Sequence, residues 1–496
     1  MKQNRNEHGI TLLGLGPGDP GMLTQDAIQW LNRISSLYLR TKNHPVVHSL
    51  PSTLHISSFD GIIEQSSSID DACEMIIEEI LTLGAKPEGV TYAVYGDPFI
   101  GEATCTEIKR RADAVHIPVA IIHGVSILEP TLSALNLSST SDIVIVDALR
   151  LSKRQTPGFP PSTPALITQL SSRKVVEAVK LSLMAAYPND HPIRLVYAAG
   201  TKDEWVEDLP LNAIDQSEYL GATLSCFVPP LSDYASFESF QEIIARLRAP
   251  DGCPWDRKQT HTSLRPFLLE ETYETLDALD RQDKVDLQEE LGDLLLQILL
   301  HAQIASEAGD FNIHHVIEGI GLKLVRRHPH VFGDVTVDGV SGVIHNWEAI
   351  KAEERLENGN ALKKGLLDGV PQALPALSQA QAVIERVGRV AFDRLIERAN
   401  LEEIQTSLQA FTHAQSDEKQ MLLGELLLNV AALGYRNGID AESVLREGIS
   451  RFKHHFSQME ALALETGRSL GELTADEKQD LWEKSTPQQD HQAASL

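Results

Sequence analysis

The chain has 496 residues, of which 42% are hydrophobic, and its formal net charge is −27 at pH 7. This length leaves room for roughly two to four domains with sizeable cores. The negative charge disfavours nucleic-acid partners, whose phosphates would be repelled. The sequence shows neither an apolar run of about eighteen residues that could span a membrane nor a signal peptide at its start. Four cysteines without a CxxC spacing predict reduced thiols, and together these features predict a cytoplasmic protein.

The first half of the chain, from Ile10 to about Val228, alternates strand-like apolar runs with helical patterns. The strand-like runs are ITLLGLG, SSLYLRT, VTYAVYGDP, AVHIPVAIIHG, SDIVIVDAL, PALITQL, PIRLVYAAG and ATLSCFVPP. Such alternation predicts α/β layers around a largely parallel sheet.

A glycine-rich turn, Gly14–Gly21, follows the first run and precedes a predicted helix over Leu23–Ile34. Glycines let the backbone turn tightly and approach a ligand, and a helix N-terminus favours an anion. The turn lacks the Gly-Lys-Ser/Thr ending of a Walker loop and the full dinucleotide-binding spacing. From the residues alone, a generic loop and a ligand-binding loop both remain open.

Three segments in this half, GLGPGDPGMLTQDA, YAVYGDPFIGEAT and IIHGVSILEP, resemble the tetrapyrrole methylase family of S-adenosylmethionine enzymes. The resemblance covers residues 8–228 and implies two α/β subdomains with a cleft between them. It implies S-adenosylmethionine as a cofactor, bound by Gly96, Asp97, Pro98, Glu102, Thr104, Gly124, Val125 and Ser126. It also implies that the methyl acceptor, a tetrapyrrole or another compound, faces a first loop formed by Gly14, Gly16, Pro17, Gly18 and Asp19.

The third motif departs from that family, because His123 stands where the family usually has proline and Ile127 replaces a small polar residue. Two interpretations of the first half therefore stay open. It transfers methyl groups, or it only binds S-adenosylmethionine, a tetrapyrrole or a nucleotide and regulates the second half. Asp97 also has a competing structural role as the cap of its helix.

Turn-forming segments suggest the domain boundaries. Val228–Phe240 is predicted to join the two halves, and Arg154–Pro164 to link the two α/β subdomains. Glu357–Gly365 is predicted to separate two helical parts, and the last residues, STPQQDHQAASL, to be disordered. The predicted domains are therefore residues 8–228, 236–357 and 365–484.

Four carboxylates stand out in the apolar helical stretch Leu268–Ala305 of the second half. They are Glu271, Glu274, Glu290 and Asp293, at i, i+3 spacings that put each pair on one helix face. The charged segment ALDRQDKVD predicts a turn that folds the two pairs against each other. Carboxylates in apolar surroundings require a compensating charge, and oxygen ligands suit Mg²⁺. A solvated charged face is the alternative interpretation.

Basic and aromatic residues follow this stretch in an order that suits a nucleotide, with Lys323, Arg326 and Arg327 before Trp347 and Lys351. Each arginine could equally pair with a structural acid.

The segments LRAPDGCPWDRKQTHTSLRPFLLEETYETLDAL, EELGDLL, KLVRRHPHVFGDV and NWEAIKAEE resemble the MazG family of nucleoside triphosphate pyrophosphohydrolases. The resemblance implies an all-α fold that hydrolyses NTPs or dNTPs to the monophosphate and pyrophosphate with Mg²⁺ or Mn²⁺. The four carboxylates would bind the metal, with Glu271 and Glu270 as the catalytic residues and Glu270 orienting water. Lys323, Arg326, Arg327, Trp347 and Lys351 would bind the nucleotide.

The second half also contains an internal repeat, because Gly424–Phe456 echoes Gly292–Phe332. In the second copy, Thr406 and Leu422 replace two of the ligands, which predicts a structural or dimerising part. Long apolar helices further predict a homodimer. The order of the two halves closely resembles the YabN type of fusion protein.

Overall fold

A computed structural model describes residues 9–66, 68–138, 142–221, 223–357, 365–388, 390 and 400–485. The chain forms two compact units, Met1–Lys258 and Gln259–Leu496. The first is α/β and the second is helical, which confirms the predicted fold class. The three domain boundaries stay predictions, although helix Phe237–Arg248, which the sequence assigned to the second domain, belongs to the first compact unit.

The first sheet of the α/β unit is entirely parallel and has the strand order β3-β2-β4-β1-β5. Its strands are β1 Ile10–Gly14, β2 Ser36–Leu39, β3 His55–Ser58, β4 Val90–Val94 and β5 Val119–Ile122. Every residue of β1 and β4 is buried, as expected for central strands that are covered on both faces. Because β4, β1 and β5 are neighbouring parallel strands, their carboxyl ends lie side by side, and the loops that follow them begin at the same edge of the sheet.

Helices cover both faces of this sheet and bury apolar residues against it. These helices are α1 Gln25–Leu31, α2 Asp60–Gln65, α3 Ile69–Gly84 and α4 Ala103–Ala114. The next helix, α5 Leu128–Ala134, packs instead against the second sheet, where Leu128 and Ala134 join a cluster with Leu166, Val196 and Phe227. On one face Ile76 and Ile80 pack against Leu12 and Tyr92. On the other face Trp30 contributes to a cluster with Leu13 and Leu37, and its indole N–H donates to Thr91 at 3.1 Å.

The second sheet is mixed rather than largely parallel, and its order is β6-β7-β10-β8-β9. Its strands are β6 Val144–Asp147, β7 Ala165–Thr168, β8 Pro192–Tyr197, β9 Trp205–Pro210 and β10 Ser225–Val228. Only β6 and β7 pair in parallel, whereas β10 with β7, β10 with β8 and β8 with β9 pair antiparallel. The connection from Tyr197 to Trp205 is too short for the crossover that a parallel pair requires, so the chain turns back. The sequence analysis predicted neither β9 nor β3.

The predicted link Arg154–Pro164 does not separate the two α/β subdomains, because β6 precedes it and pairs with β7, which follows it. It connects α6, Ala148–Leu151, to β7 within the second sheet, while α7, Arg173–Met184, covers that sheet. The boundary between the subdomains therefore lies earlier, between β5 and β6, because α5 already packs against the second sheet. The last helix of the first unit is α8, Phe237–Arg248.

The second unit consists of helices, of which the first group is α9 His261–Asp280, α10 Lys284–Ala308, α11 Ile313–Arg327, α12 Pro329–Phe332 and α13 Gly339–Glu357. The second group is α14 Ala376–Gly388, α15 Leu401–His413, α16 Ser416–Arg436, α17 Ala441–Glu465 and α18 Ala475–Ser485. Most of the predicted separator 357–365 and of the predicted disordered tail lies outside the described residues. Within the described ranges, no helix combines the length and the apolar character needed to cross a membrane.

Candidate functional site

The carboxylates singled out in the sequence lie on a hairpin formed by α9 and α10. Asp283 caps α10, because its side chain accepts from two backbone N–H groups of the first turn at 3.0 and 3.2 Å. In the turn, the guanidinium of Arg281 binds Asp277 at 3.0 Å and Asp286 at 2.8 Å. The turn therefore forms within the charged segment that predicted it, and α9 packs along α10.

Three of the four predicted metal ligands converge on this hairpin. Glu271 and Glu274 stand one turn apart on α9, and Glu290 faces them from α10. One carboxylate oxygen of each lies within 4.8 Å of the others. In the described part of the chain, no other group of three His, Cys, Asp or Glu side chains is close enough to share an ion. Carboxylate oxygens are ligands that suit Mg²⁺ or Mn²⁺.

The electrostatics of this group also fit a cation. Loss of hydration, followed by the charges of Asp293 and Glu274, raises the pKa of Glu271 above its ordinary value of 4.5. Loss of hydration, followed by Glu274 and Asp293, likewise raises the pKa of Glu290. Asp293 thus lies outside the group of three but close enough to act on two of its members. A bound cation would relieve this repulsion, so the donor set fits a divalent metal.

The apolar surroundings expected for the carboxylates are present, but this chain alone does not bury them. Leu299 and Leu300 are buried, whereas Leu291 and Ile298 are 51% and 42% exposed. The apolar stretch predicted from the sequence therefore surrounds the carboxylates only in part within the single chain. Glu270 is exposed at the rim of the site, beside Glu271, whose pKa it helps to raise.

The predicted nucleotide-binding residues come together on α11 and α13, and α11 packs against both α10 and α13. The guanidinium carbon of Arg327 lies 5.4 Å from the centre of the Trp347 ring. The Nζ atom of Lys351 lies 4.6 Å from the same ring centre. Both distances are within the range of cation–π interactions. Lys323 is exposed one helical turn before Arg327, so α11 carries its cations on the face that reaches α13.

A residue that the sequence analysis did not single out, Glu354, binds both arginines. Its carboxylate pairs with Arg326 Nη2 at 2.5 Å and with Arg327 Nη2 at 2.6 Å. The sequence analysis left open whether each arginine pairs with an acid of the protein. Both do, and the acid is Glu354 in each case. Spacing could have identified it, because Trp347, Lys351 and Glu354 follow an i, i+4, i+7 pattern on one face of α13.

The second helical copy repeats the hairpin as α15 and α16 without repeating the carboxylate group. Thr406 turns its hydroxyl to the backbone carbonyl of Glu402 at 2.9 Å, as an ordinary helical threonine does. The helices of the second copy pack on each other, with Ile384 of α14 and Ala432 of α16 in a buried cluster. The structural role predicted for this copy stays a prediction.

In the α/β unit, the three glycine-containing motifs meet at one edge of the first sheet. Gly16 and Gly96 exchange backbone hydrogen bonds of 3.1 and 2.9 Å. A Cβ atom on Gly124 would lie 2.2 Å from the carbonyl oxygen of Gly96 and 2.8 Å from the carbonyl carbon of Gly14. Only glycine therefore fits at Gly124 without moving the backbone of its neighbours. The structure thus brings together all three loops that the sequence assigned to cofactor and acceptor.

Asp97, at the centre of the second motif, is 7% exposed and does not cap a helix. Its Oδ1 atom accepts from the Phe99 N–H at 2.9 Å, and its Oδ2 atom lies 2.8 Å from His123 Nδ1. The N-cap of α4 is Glu102, which accepts from the Thr104 N–H at 3.1 Å. The alternative of Asp97 as helix cap is therefore wrong, and the pair with His123 explains how this position accommodates histidine.

The other predicted cofactor residues fall into two groups. Glu102 and Thr104 are turned into the protein, where Glu102 accepts from Arg40 at 2.9 Å and from the Thr104 hydroxyl at 2.6 Å. Pro98, Val125 and Ser126 follow the carboxyl ends of β4 and β5, and Ser126 caps the next turn by accepting from a backbone N–H at 3.0 Å. Cofactor contacts of both groups stay predictions.

The first loop is braced by His44 and Tyr95, which the sequence analysis did not identify. His44 is buried, its Nε2 atom lies 3.0 Å from the carbonyl oxygen of Gly16, and burial lowers its pKa to about 4. Its ring lies 4.7 Å from that of Tyr95, whose hydroxyl donates to the carbonyl of Pro17. Asp19 in the same loop caps the following turn by accepting from a backbone N–H at 2.7 Å.

Both units match known family models. The model described as Tetrapyrrole (Corrin/Porphyrin) Methylases matches residues 9–215. The model described as MazG nucleotide pyrophosphohydrolase domain matches residues 259–332.

Relatives match over the whole chain and over its second half. The protein YabN of Bacillus subtilis (strain 168) is 35% identical over 486 residues, which cover 96% of this chain and 98% of the relative. The nucleoside triphosphate pyrophosphohydrolase/pyrophosphatase MazG of Thermotoga maritima is 40% identical over 250 residues, which cover 50% of this chain and 95% of the relative. The solved structure of uroporphyrin-III-C-methyltransferase from Thermus thermophilus aligns at 18% identity and a TM-score of 0.35, over 46% of this chain and 95% of that chain.

Proposed function

Because the chain belongs to the YabN family, in which a tetrapyrrole methylase domain precedes a MazG nucleotide pyrophosphohydrolase domain, we propose that its helical unit hydrolyses NTPs or dNTPs to the monophosphate and pyrophosphate. The observation that carries this proposal is the convergence of Glu271, Glu274 and Glu290 within 4.8 Å on two packed helices. The raised pKa values of Glu271 and Glu290 support a site that a cation completes.

Each residue of the site has a proposed part in the reaction. Glu271, Glu274 and Glu290 would hold Mg²⁺ or Mn²⁺, with Asp293 as a further ligand beside them. Such a metal, when bound, polarises phosphate oxygens and lowers the pKa of a bound water. Glu270, exposed next to Glu271, would orient the attacking water and accept its proton. The new bond joins water oxygen to the α-phosphorus, the bond from that phosphorus to the bridging oxygen breaks, and pyrophosphate leaves.

The cations on α11 and α13 would neutralise the triphosphate. Lys323, Arg326 and Arg327 would contact phosphate oxygens, for which planar guanidinium groups are well suited. Trp347 and Lys351 would contact the rest of the nucleotide. Local cations and a divalent metal set the potential at the site, so the overall charge of −27 does not prevent binding of an anionic substrate.

Pyrophosphate release from a panel of NTPs and dNTPs tests this function. We expect the wild-type protein to release pyrophosphate with Mg²⁺, and Glu274→Gln and Asp293→Asn to lose at least about a hundredfold in turnover, because a site short of one ligand binds the metal poorly. Asp277→Asn, which removes an exposed carboxylate one turn from Glu274, serves as the matched control and should keep its activity. Equal rates in wild type and Glu274→Gln would overturn the assignment.

For the α/β unit we propose S-adenosylmethionine binding at the loops that follow β4 and β5, with the acceptor at the loop that follows β1. The close approach of Gly14, Gly96 and Gly124 supports this proposal, since only residues without a side chain allow the three loops to meet at one place. The alternative, a binding module that regulates the hydrolase, uses the same loops. Methyl transfer to tetrapyrroles or other acceptors distinguishes the two, because a module binds S-adenosylmethionine without consuming it.

Substitution at Gly124 tests the cofactor site. Gly124→Ala places a methyl group against the carbonyl oxygen of Gly96, so we expect S-adenosylmethionine affinity, measured by calorimetric titration, to fall at least about tenfold. Gly61→Ala is the control, because nothing lies within 4 Å of a Cβ atom there. Unchanged affinity in Gly124→Ala would contradict this location, and no binding by the wild-type protein would refute the cofactor assignment.

We also propose that the protein is a homodimer. α11 exposes Val316, Ile317, Ile320 and Leu324, each more than 40% exposed, and Leu291 and Ile298 are exposed beside the carboxylates. Contiguous apolar patches of this kind are covered in stable proteins, and a second copy of the helical unit could cover them. Sedimentation equilibrium should give twice the chain mass of 54.6 kDa, and a monomer mass would contradict the proposal.

A further inference from the structure

We infer that Glu354 is a positioning residue for the triphosphate, which it serves by holding Arg326 and Arg327 in the orientation that receives phosphate oxygens. This inference rests on the proposed nucleotide hydrolysis and assigns a role to a residue that does not itself touch the substrate. The evidence lies in how one carboxylate is shared between two cations.

The carboxylate of Glu354 is divided between the two arginines. Its Oε1 atom lies 2.5 Å from Arg326 Nη2, and its Oε2 atom lies 2.6 Å from Arg327 Nη2. Arg327 Nε lies a further 3.3 Å from each oxygen, so this guanidinium presents its Nε–Nη2 edge to the acid. Arg327 Nη1 takes no part in this ion pair, which leaves that side of the guanidinium for another acceptor.

Burial differs sharply across this group. Glu354 and Arg327 are enclosed, with side chains 9% and 15% exposed, whereas the Arg326 side chain is 52% exposed. A buried carboxylate is stable only if cations or hydrogen-bond donors compensate it. The hydrogen bond from Arg327, first, and the two positive charges hold the pKa of Glu354 below its ordinary value, so the acid stays ionised. The acid therefore acts as a buried anchor, and Arg326 is the exposed end of the group.

Charge and placement make the anchored group suitable for a triphosphate. Arg326 and Arg327 carry two positive charges against the single negative charge of Glu354, so this pair of arginines keeps a positive excess. On α13, Lys351 and Glu354 lie one turn apart, and Lys351 and Arg327 both contact the ring of Trp347. Without the acid, Arg326 and Arg327 would repel each other and lose their common orientation, since flexible side chains pay an entropic cost to be fixed on binding.

The resulting prediction concerns affinity rather than chemistry. Glu354→Gln keeps the shape of the side chain but removes its charge, so KM should rise roughly tenfold, the size expected for loss of one charge-assisted hydrogen bond. The factor should be the same for every nucleotide base, because the arginines contact phosphates. Turnover at saturating nucleotide should change less than about threefold, since the carboxylates on α9 and α10 are untouched.

The experiment compares KM and kcat for pyrophosphate release in wild type, Glu354→Gln, Glu354→Asp and Glu353→Gln with several NTPs. Glu353→Gln removes an exposed neighbouring charge and should leave KM unchanged. Glu354→Asp keeps the charge but is too short to reach both arginines equally, so its KM should lie between the other two values. If Glu354→Gln does not fold, the aspartate variant decides. An unchanged KM in the folded variants, or a loss confined to kcat, would overturn the inference, whereas an inactive wild-type protein would refute the proposed function itself.

Discussion

At the scale of single residues, the first loop of the α/β unit depends on a histidine that must stay neutral. His44 Nδ1 accepts from the Val46 N–H at 3.2 Å, so the proton is on Nε2, which donates to the Gly16 carbonyl at 3.0 Å. Protonation would remove the acceptor and place a charge in a buried position. Burial disfavours the charged imidazole and therefore lowers the pKa of His44 to about 4.

This pKa predicts how the stability of the α/β unit depends on pH. The folded pKa of about 4 lies below the ordinary value of 6.5, so the unfolded chain takes up the proton first as the pH falls. The contribution of His44 is therefore fully present above about pH 6.5 and is lost progressively between there and pH 4. By pH 5 the free energy of unfolding should have fallen by about 2 kcal/mol on account of this residue.

Urea unfolding of wild type and His44→Gln at about pH 7 and pH 5 measures that contribution. We expect His44→Gln to be less stable at the higher pH, because it loses a buried hydrogen-bond partner, but to show a smaller decrease between the two values. His48→Gln, an exposed histidine of the same segment, should retain the wild-type pH dependence. If His44→Gln retained it as well, the buried imidazole would not be the titrating group.

Residue-level prediction from the sequence succeeded where chemistry and local spacing coincide. Glu271, Glu274 and Glu290 could be predicted to converge, because helical spacing and one turn determine their positions. His44 could not, because only the tertiary fold brings it near Gly16, 28 positions away. Spacing places Glu354 on one face of α13 with Trp347 and Lys351, but it does not reveal the contact with Arg327, 27 positions away. The contact of Asp97 with His123 escaped prediction for the same reason.

At the scale of elements, the parallel sheet and the α9–α10 hairpin followed from the sequence, whereas the second sheet did not. Apolar runs identified eight strands, but β3 and β9 contain too many exposed or polar residues to stand out. Strand direction in the second sheet is set by connection length, as the short step from Tyr197 to Trp205 shows. A pattern of apolar runs alone carries no information on that direction.

The α9–α10 hairpin shows that helical periodicity identifies apolar residues but does not tell whether they are buried. The sequence placed the carboxylates in an apolar environment, and the apolar residues are indeed beside them, but Leu291 and Ile298 remain exposed in the single chain. Burial depends on what packs against a helix, and that partner need not be in the same chain. This exposure is the element-level reason for proposing a homodimer.

At the scale of the whole molecule, two units with separate sites share one chain. The α/β unit brings three glycine-containing loops together at a sheet edge, and the helical unit holds a carboxylate group and a cation group on neighbouring helices. The family comparisons agree with this division, since one model matches residues 9–215 and the other residues 259–332. Separate variants of each site, such as Gly124→Ala and Glu274→Gln, should therefore affect one activity each.

Titration of Mn²⁺ into the full-length protein, followed by electron paramagnetic resonance, tests the central claim most directly, because it measures cation binding without requiring turnover. We predict a Mn²⁺ site in the wild-type protein and in Asp277→Asn, and affinity reduced at least roughly tenfold in Glu274→Gln. The affinity should also rise with pH as Glu271 and Glu290 lose their protons, since their pKa values are raised. Equal Mn²⁺ binding by wild type and Glu274→Gln would contradict the account.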